Sequence, residues 1–216
     1  MFVDRSDAGR QLAAKLLHLK EEKPVVLALP RGGVPVGFEI AKALEAPLDL
    51  VLVRKIGTPW QPELALGAVT DGDDPELFID RRLTAEWAIS DYYISSEAMR
   101  QLKELERRRR VYGAGREPLE IAGRAAIVVD DGIATGATMR VALGATRRRN
   151  PARLILAVPV AAKDTLAGLR SDVDEAVCLE TPPDLGSIGF YYRDFHQVSD
   201  AEVTDILARA AHPTER

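Results

Sequence analysis

Cysteine is almost absent from this chain: Cys178 stands alone among 216 residues. No disulfide can form within the chain, and nothing points to an oxidising compartment. Histidine is scarce too, and His18, His196 and His212 lie too far apart in sequence to give the ligand spacing of a zinc site. No apolar run reaches membrane-spanning length, and the start Met1-Phe2-Val3-Asp4-Arg5 lacks the basic and apolar regions of a secretory leader. A cytoplasmic protein without membrane contact is therefore expected. Excess positive charge is also missing. With 29 Lys and Arg against 33 Asp and Glu the net charge is −4, so no nucleic-acid partner is expected. The pattern Gly-x-x-x-x-Gly-Lys-Ser/Thr does not occur, which excludes a Walker-type nucleotide loop. Gly113-Ala114-Gly115 begins like a dinucleotide fingerprint, but it follows a helical stretch and runs into Pro118.

What is present is ordinary in amount and informative in order. Hydrophobic residues make up 46% and charged residues 29%, as in a typical globular protein. The length suits one generous domain, expected over residues 1–216. Ser6 or Asp7 is placed to cap a first helix carrying Leu12, Leu16, Leu17 and Leu19. Val25-Val26-Leu27-Ala28-Leu29 then reads as a strand covered on both faces. A helix is expected over 34–44 and a strand over 48–53. Residues 54–74 read as a long excursion with one short strand near 64–69, and 84–112 as one or two charged helices. Strands at 125–129, 154–160 and 175–179 alternate with helices at 138–148 and 163–169. This rhythm predicts an α/β fold, a parallel sheet of about five strands with helices on both faces. Ligands of such sheets bind at the carboxyl ends of the strands.

One loop at that edge carries most of the chemistry. Val128-Val129 leads into Asp130-Asp131, followed at once by Gly132-Ile133-Ala134-Thr135-Gly136-Ala137-Thr138 and a helix. Glycines and small residues let backbone N–H groups close around an anion, and the helix start adds its positive dipole end. Thr135 and Thr138 bring hydroxyls to the same anion. The paired carboxylates suit a vicinal diol, whose hydroxyls both donate hydrogen bonds. Diol on one side and phosphate on the other describe a ribose 5-phosphate.

Asp130 through Thr138 resembles the 5-phosphoribosyl-1-pyrophosphate (PRPP) signature of the type I phosphoribosyltransferases. Pro30-Arg31-Gly32-Gly33 is similar to the pyrophosphate loop of the adenine enzymes, and Val53-Arg54-Lys55-Ile56-Gly57 to the start of their flexible catalytic loop. The likeness implies that Arg31, Gly32 and Gly33 hold pyrophosphate, with a cis peptide at Pro30-Arg31 or Arg31-Gly32. It implies that Arg54 or Lys55 neutralises the leaving group under a loop running through Trp60 and Glu63, and that Mg2+ is the cofactor.

A second stretch, Thr181-Pro182-Pro183 to Val198, holds four of the ten Phe and Tyr residues. It resembles the small C-terminal hood, residues 181–200, of the hypoxanthine-guanine enzymes. That likeness makes Tyr191, Tyr192 and Phe195 the base-binding rings and Asp194 the metal ligand. Those enzymes carry an aspartate where this chain has Ala134, so a general base must come from elsewhere, with Glu63 and Asp194 as candidates.

The expected activity is transfer of the phosphoribosyl group from PRPP to a nitrogenous base, a purine preferred, by a homodimer. Asp130, Asp131, Arg31 and Lys55 are the expected catalytic set. Two alternatives are a PRPP or nucleotide sensor without turnover, and a transferase with a non-base acceptor. The arginines at 107–110 and 147–149 are read as helix-surface and helix-end charges, and Cys178 as a core residue.

Overall fold

The computed structural model describes residues 1–61, 65–70, 77–113 and 119–211. In chain order the elements are α1 (Arg5–Leu16), β1 (Val25–Ala28), α2 (Gly33–Leu44), β2 (Leu48–Leu50), β3 (Val53–Gly57), β4 (Ala65–Thr70) and β5 (Leu77–Ile79). They continue with α3 (Arg81–Glu86), α4 (Asp91–Gly113), β6 (Ala125–Val129), α5 (Ala137–Arg148), β7 (Arg153–Val160), α6 (Lys163–Leu169), β8 (Glu175–Glu180) and α7 (Asp200–Ala211). They group into two compact units, Met1–Val51 with Pro118–Arg216, and Leu52–Glu117.

The first unit is built on a five-stranded sheet in the order β2-β1-β6-β7-β8, every pair parallel. Strands β1 and β6 are buried at every position because both faces are covered, which is why their sequences are unbroken apolar runs. From β1 the chain steps one way to β2, and from β6 it steps the other way to β7. Right-handed crossovers therefore put α2 and α5 on opposite faces. The loops after β1 and β6 diverge at the carboxyl ends of adjacent strands, and that is where the order reverses.

The first helix is capped by Asp4, which accepts from Asp7 N at 2.7 Å, and not by Ser6 or Asp7 as the sequence led us to expect. Asp7 turns its carboxylate back to Val3 N instead, at 3.0 Å. The N-terminal residues pair with the segment beyond β8. Phe2 N donates to Tyr191 O at 2.7 Å, Arg193 N to Phe2 O at 2.9 Å and Asp194 N to Val3 O at 2.9 Å.

The second unit contains an antiparallel sheet, β3-β4-β5. The predicted strand over 48–53 is divided: β2 ends at Leu50 in one sheet, and β3 begins at Val53 in the other. Of the excursion, residues 54–61 and 65–70 are described, and they include most of β3 and all of β4, the latter at the place where one short strand was expected. Gly67 is required there, because an added Cβ would lie 1.8 Å from the Phe78 carbonyl oxygen of the neighbouring strand. Ile56 and Leu66 pack against Ile94 and Ala98 of α4. The charged stretch is two helices, α3 and α4, and the arginines at 107 and 108 pair with Glu104 on the surface of α4.

Candidate active site

The loop after β6 is fastened at one point and open beyond it. Ile133 N donates to Val160 O at 2.9 Å, and Ala162 N donates back to Ile133 O at 3.0 Å. Gly132 lies against Ile188, leaving no room for a Cβ. Past Ile133 the chain is exposed at Ala134, Thr135 and Thr138, and Thr165 Oγ1 donates to Ala134 O at 2.7 Å. Gly136 takes φ 77°, the left-handed conformation a glycine adopts without penalty, and starts α5 from it. The first N–H groups of α5, from Ala137 on, have no partner within the helix and face whatever sits in the loop.

The loop after β1 closes on the same place. Leu29 N donates to Val129 O, and Gly33 N to Leu29 O. The peptide between Pro30 and Arg31 is cis, at one of the two positions the sequence proposed. Gly32 and Gly33 face the carboxylate pair directly. A Cβ at Gly32 would lie 2.0 Å from Asp131 Oδ2, and one at Gly33 would lie 2.6 Å from Val129 O and 2.9 Å from Asp130 Cα. The two loops separated by a hundred residues in sequence thus meet with no space for side chains between them. Arg31 leans toward the start of α7, with Nη1 at 3.6 Å from Asp200 Oδ1.

The carboxylates sit in a setting that disfavours charge. Burial raises the pKa of Asp130 well above the usual carboxylate range, and the neighbouring charge of Asp131 raises it further. Asp131 is also raised by burial, against the lowering effect of a hydrogen bond from Arg5. That arginine was not picked out from the sequence. Its Nε donates to Asp131 Oδ2 at 2.8 Å and its Nη1 to His196 O at 2.8 Å.

The aromatic hood is more unequal than its composition implies. Tyr192 is a packed core residue, tilted against Phe2 at 5.3 Å and stacked on Phe195 at 5.0 Å, and its hydroxyl donates to Asp131 O at 2.6 Å. Tyr191 is half-buried beside the same cluster. Phe195 keeps 36% of its surface, and Phe190, which the sequence reading passed over, keeps 73%. Asp194 is exposed and its Oδ1 accepts from His196 N at 3.0 Å. His196 also reaches Glu202 through Nε2 at 3.0 Å, which raises its pKa.

Lys55 lies on β3 in the second unit, paired in register with Ala68. Its neighbour Arg54 points to the other face of that sheet, where Nε donates to Gln101 Oε1 of α4 at 2.8 Å. Glu63, the other candidate base, lies outside the described residues.

Residues 4–193 match the family model described as the phosphoribosyl transferase domain. The chain belongs to that family. Members named "Putative phosphoribosyl transferase" in two strains of Mycobacterium tuberculosis are 45% identical over 210 residues, covering 97% of this chain and 47% of theirs. The chain thus spans about half the length of those curated relatives. The crystal structure of the family relative TT1426 from Thermus thermophilus superposes with a TM-score of 0.85 at 43% identity, over 96% of this chain and 97% of that one.

Proposed function

We propose that the protein transfers the 5-phosphoribosyl group of PRPP to a nitrogenous base, a purine preferred, with release of pyrophosphate. The observation that carries this reading is the convergence of Asp130-Asp131 and Gly32-Gly33 at the point where the strand order reverses. A pair of carboxylates beside an anion-accepting helix start is the donor set a phosphorylated ribose requires. The ring nitrogen of the acceptor forms a bond to the anomeric carbon as the bond from that carbon to pyrophosphate breaks. Asp130 and Asp131 hold the diol, and the charge on Asp131, paired with Arg5, stabilises the positive charge that develops on the ribose. Arg31 and the backbone of Gly32 receive the leaving pyrophosphate, and Gly33, whose N–H is held by Leu29, lets the loop approach without a side chain. Lys55 or its neighbour Arg54, both on β3, is the second cation we assign to the leaving group, as the resemblance implies.

Mg2+ fits this donor set on one condition. Among the described residues no three His, Cys, Asp or Glu side chains converge, so the protein alone offers no cage. Magnesium is commonly held by one or two carboxylates together with substrate oxygens and water, and Asp194 is an exposed carboxylate in the hood. The ion would supply charge neutralisation to the departing pyrophosphate. The same reading takes the chain as one phosphoribosyltransferase domain, residues 1–216, with residues 181–200 as its hood. It also takes the protein as a cytoplasmic homodimer with no nucleic-acid partner. Tyr92 and Met99, exposed seven residues apart on α4, support that helix as a contact between copies.

The test is pyrophosphate release from magnesium PRPP across a panel of purine and pyrimidine bases, with Asp131→Asn as control. Release with one base, lost in the variant, names the acceptor. Tight PRPP binding with no release on any base would replace transfer with sensing. Release in the absence of a base would replace the nitrogenous acceptor.

A further inference from the structure

Arg5 is where a cation does its own helix least good. It is the first residue of α1, at the positive end of the helix dipole, where a negative charge is favoured. It is also 7% exposed, and arginine is rarely buried unless paired. Its position is explained by what it touches 126 residues away. Nε donates to Asp131 Oδ2, Nη1 donates to His196 O, and the guanidinium lies 3.9 Å from the centre of the Phe195 ring. Phe195 stacks on Tyr192, and Tyr192 returns to Asp131 by donating its hydroxyl to the backbone carbonyl. The circuit is closed: Asp131 is held at its side chain by Arg5 and at its backbone by Tyr192, with Phe195 between the two holders.

We propose that Arg5 is a positioning residue for Asp131, fixing the carboxylate over Gly32 in the orientation that receives the ribose diol. This rests on the phosphoribosyl-transfer reading above. Arg5 engages Oδ2, the oxygen nearest to Gly32, and so fixes the carboxylate that a sugar hydroxyl would meet. Without the guanidinium, nothing on α1 would oppose the effect of burial, and Asp131 would hold a proton to higher pH. A neutral acid cannot stabilise a developing cation. The other groups bearing on Asp131 and Arg5 are Asp130 in the same loop, the Tyr192 hydroxyl and Asp194 in the hood, and Glu180 at the end of β8 through Tyr192. None of these supplies a positive charge; the His196 ring, paired with Asp194 and Glu202, does so when protonated.

A residue that merely docked the N-terminus onto the hood would lower stability but would not act through Asp131. The experiment is a double-mutant cycle on the full chain, read as kcat/KM against pH and as magnesium PRPP binding by calorimetry. Arg5→Met is expected to lower kcat/KM by roughly 10–100-fold, the usual cost of losing a partner that orients a functional ligand group. It should also move the acid limb to higher pH, and Arg5→Lys should restore part of both. In an Asp131→Asn background, Arg5→Met should change turnover by no more than about twofold. Multiplying losses in the double variant would overturn the proposal, as would an acid limb that stays put in Arg5→Met. If Arg5→Met does not fold, Arg5→Gln, which keeps a hydrogen-bond donor and removes the charge, decides: an unmoved limb with full kcat overturns the proposal. A wild-type chain that binds PRPP but gives multiplying losses removes this inference alone. A wild-type chain that neither binds nor turns over PRPP removes the functional reading and this inference with it.

Discussion

In the unit built on the parallel sheet, β1 and β6 are buried from end to end and the functional loops leave from their carboxyl ends. In the unit built on the antiparallel sheet, β3 mixes buried and half-buried positions, and its helix α4 carries Arg, Lys and Glu along most of its length. The first kind of strand announces itself in sequence as an apolar run, because both of its faces must be covered. The second kind does not: β3 carries Arg54 and Lys55 half-buried on its two opposite faces. The parallel unit also concentrates its constraints at the ligand edge. Gly32, Gly33 and Gly132 are all pressed against neighbours there, whereas the close approach in the other unit, at Gly67, is a contact between strands.

Four substitutions test this contrast, and Asp131→Asn should have the largest effect. It removes the negative charge from the ligand edge, and kcat is expected to fall by about 100-fold or more. The buried Arg5 loses its ionic partner at the same time, so melting temperature should fall as well, and a variant that keeps full kcat would show that the edge is only structural. Gly32→Ala comes next. Its Cβ would lie 2.0 Å from Asp131 Oδ2, so either the loop or the carboxylate must move. PRPP affinity should drop by about tenfold or more, as misplacement of a positioned group costs. Unchanged affinity by calorimetry would separate the two loops functionally.

Gly67→Ala probes the other unit. The Cβ would meet the Phe78 carbonyl oxygen at 1.8 Å, and overpacking of this kind costs roughly 1–3 kcal/mol, readable by chemical denaturation. The smallest effect belongs to Glu104. Its hydrogen bonds from Arg107 and Arg108 hold its pKa down to about 2. Because the folded value is depressed, the contribution is complete above the ordinary value of 4.5 and is lost as pH falls toward about 2. Exposed pairs of this kind are worth only about 0.2–1 kcal/mol, and Glu104→Gln should flatten stability over that window.

The strands and helices around the parallel sheet were legible because burial on both faces and the helical repeat write themselves into sequence. The run from Asp130 to Thr138, which we propose meets phosphate and diol, stands out for a different reason: its residues are consecutive and carry their geometry locally. The cap of α1 was misread because Asp4, Ser6 and Asp7 are all good capping residues, and only the helix's true first turn decides among them. The division of the predicted strand at Val51 was hidden because both halves are apolar, and sequence does not say that they enter different sheets.

The alternation of elements, the parallel sheet and the run of residues on which the proposed ribose-phosphate site rests are all written in the order of the residues. These are properties of near neighbours along the chain, where periodicity and spacing act directly. Folding in three dimensions was needed to set Gly32 against Asp131, to make Tyr192 core while Phe190 stands open, and to bring Arg5 to the carboxylate. Each of these joins residues far apart along the chain, and no local pattern encodes which distant partner a buried charge will find.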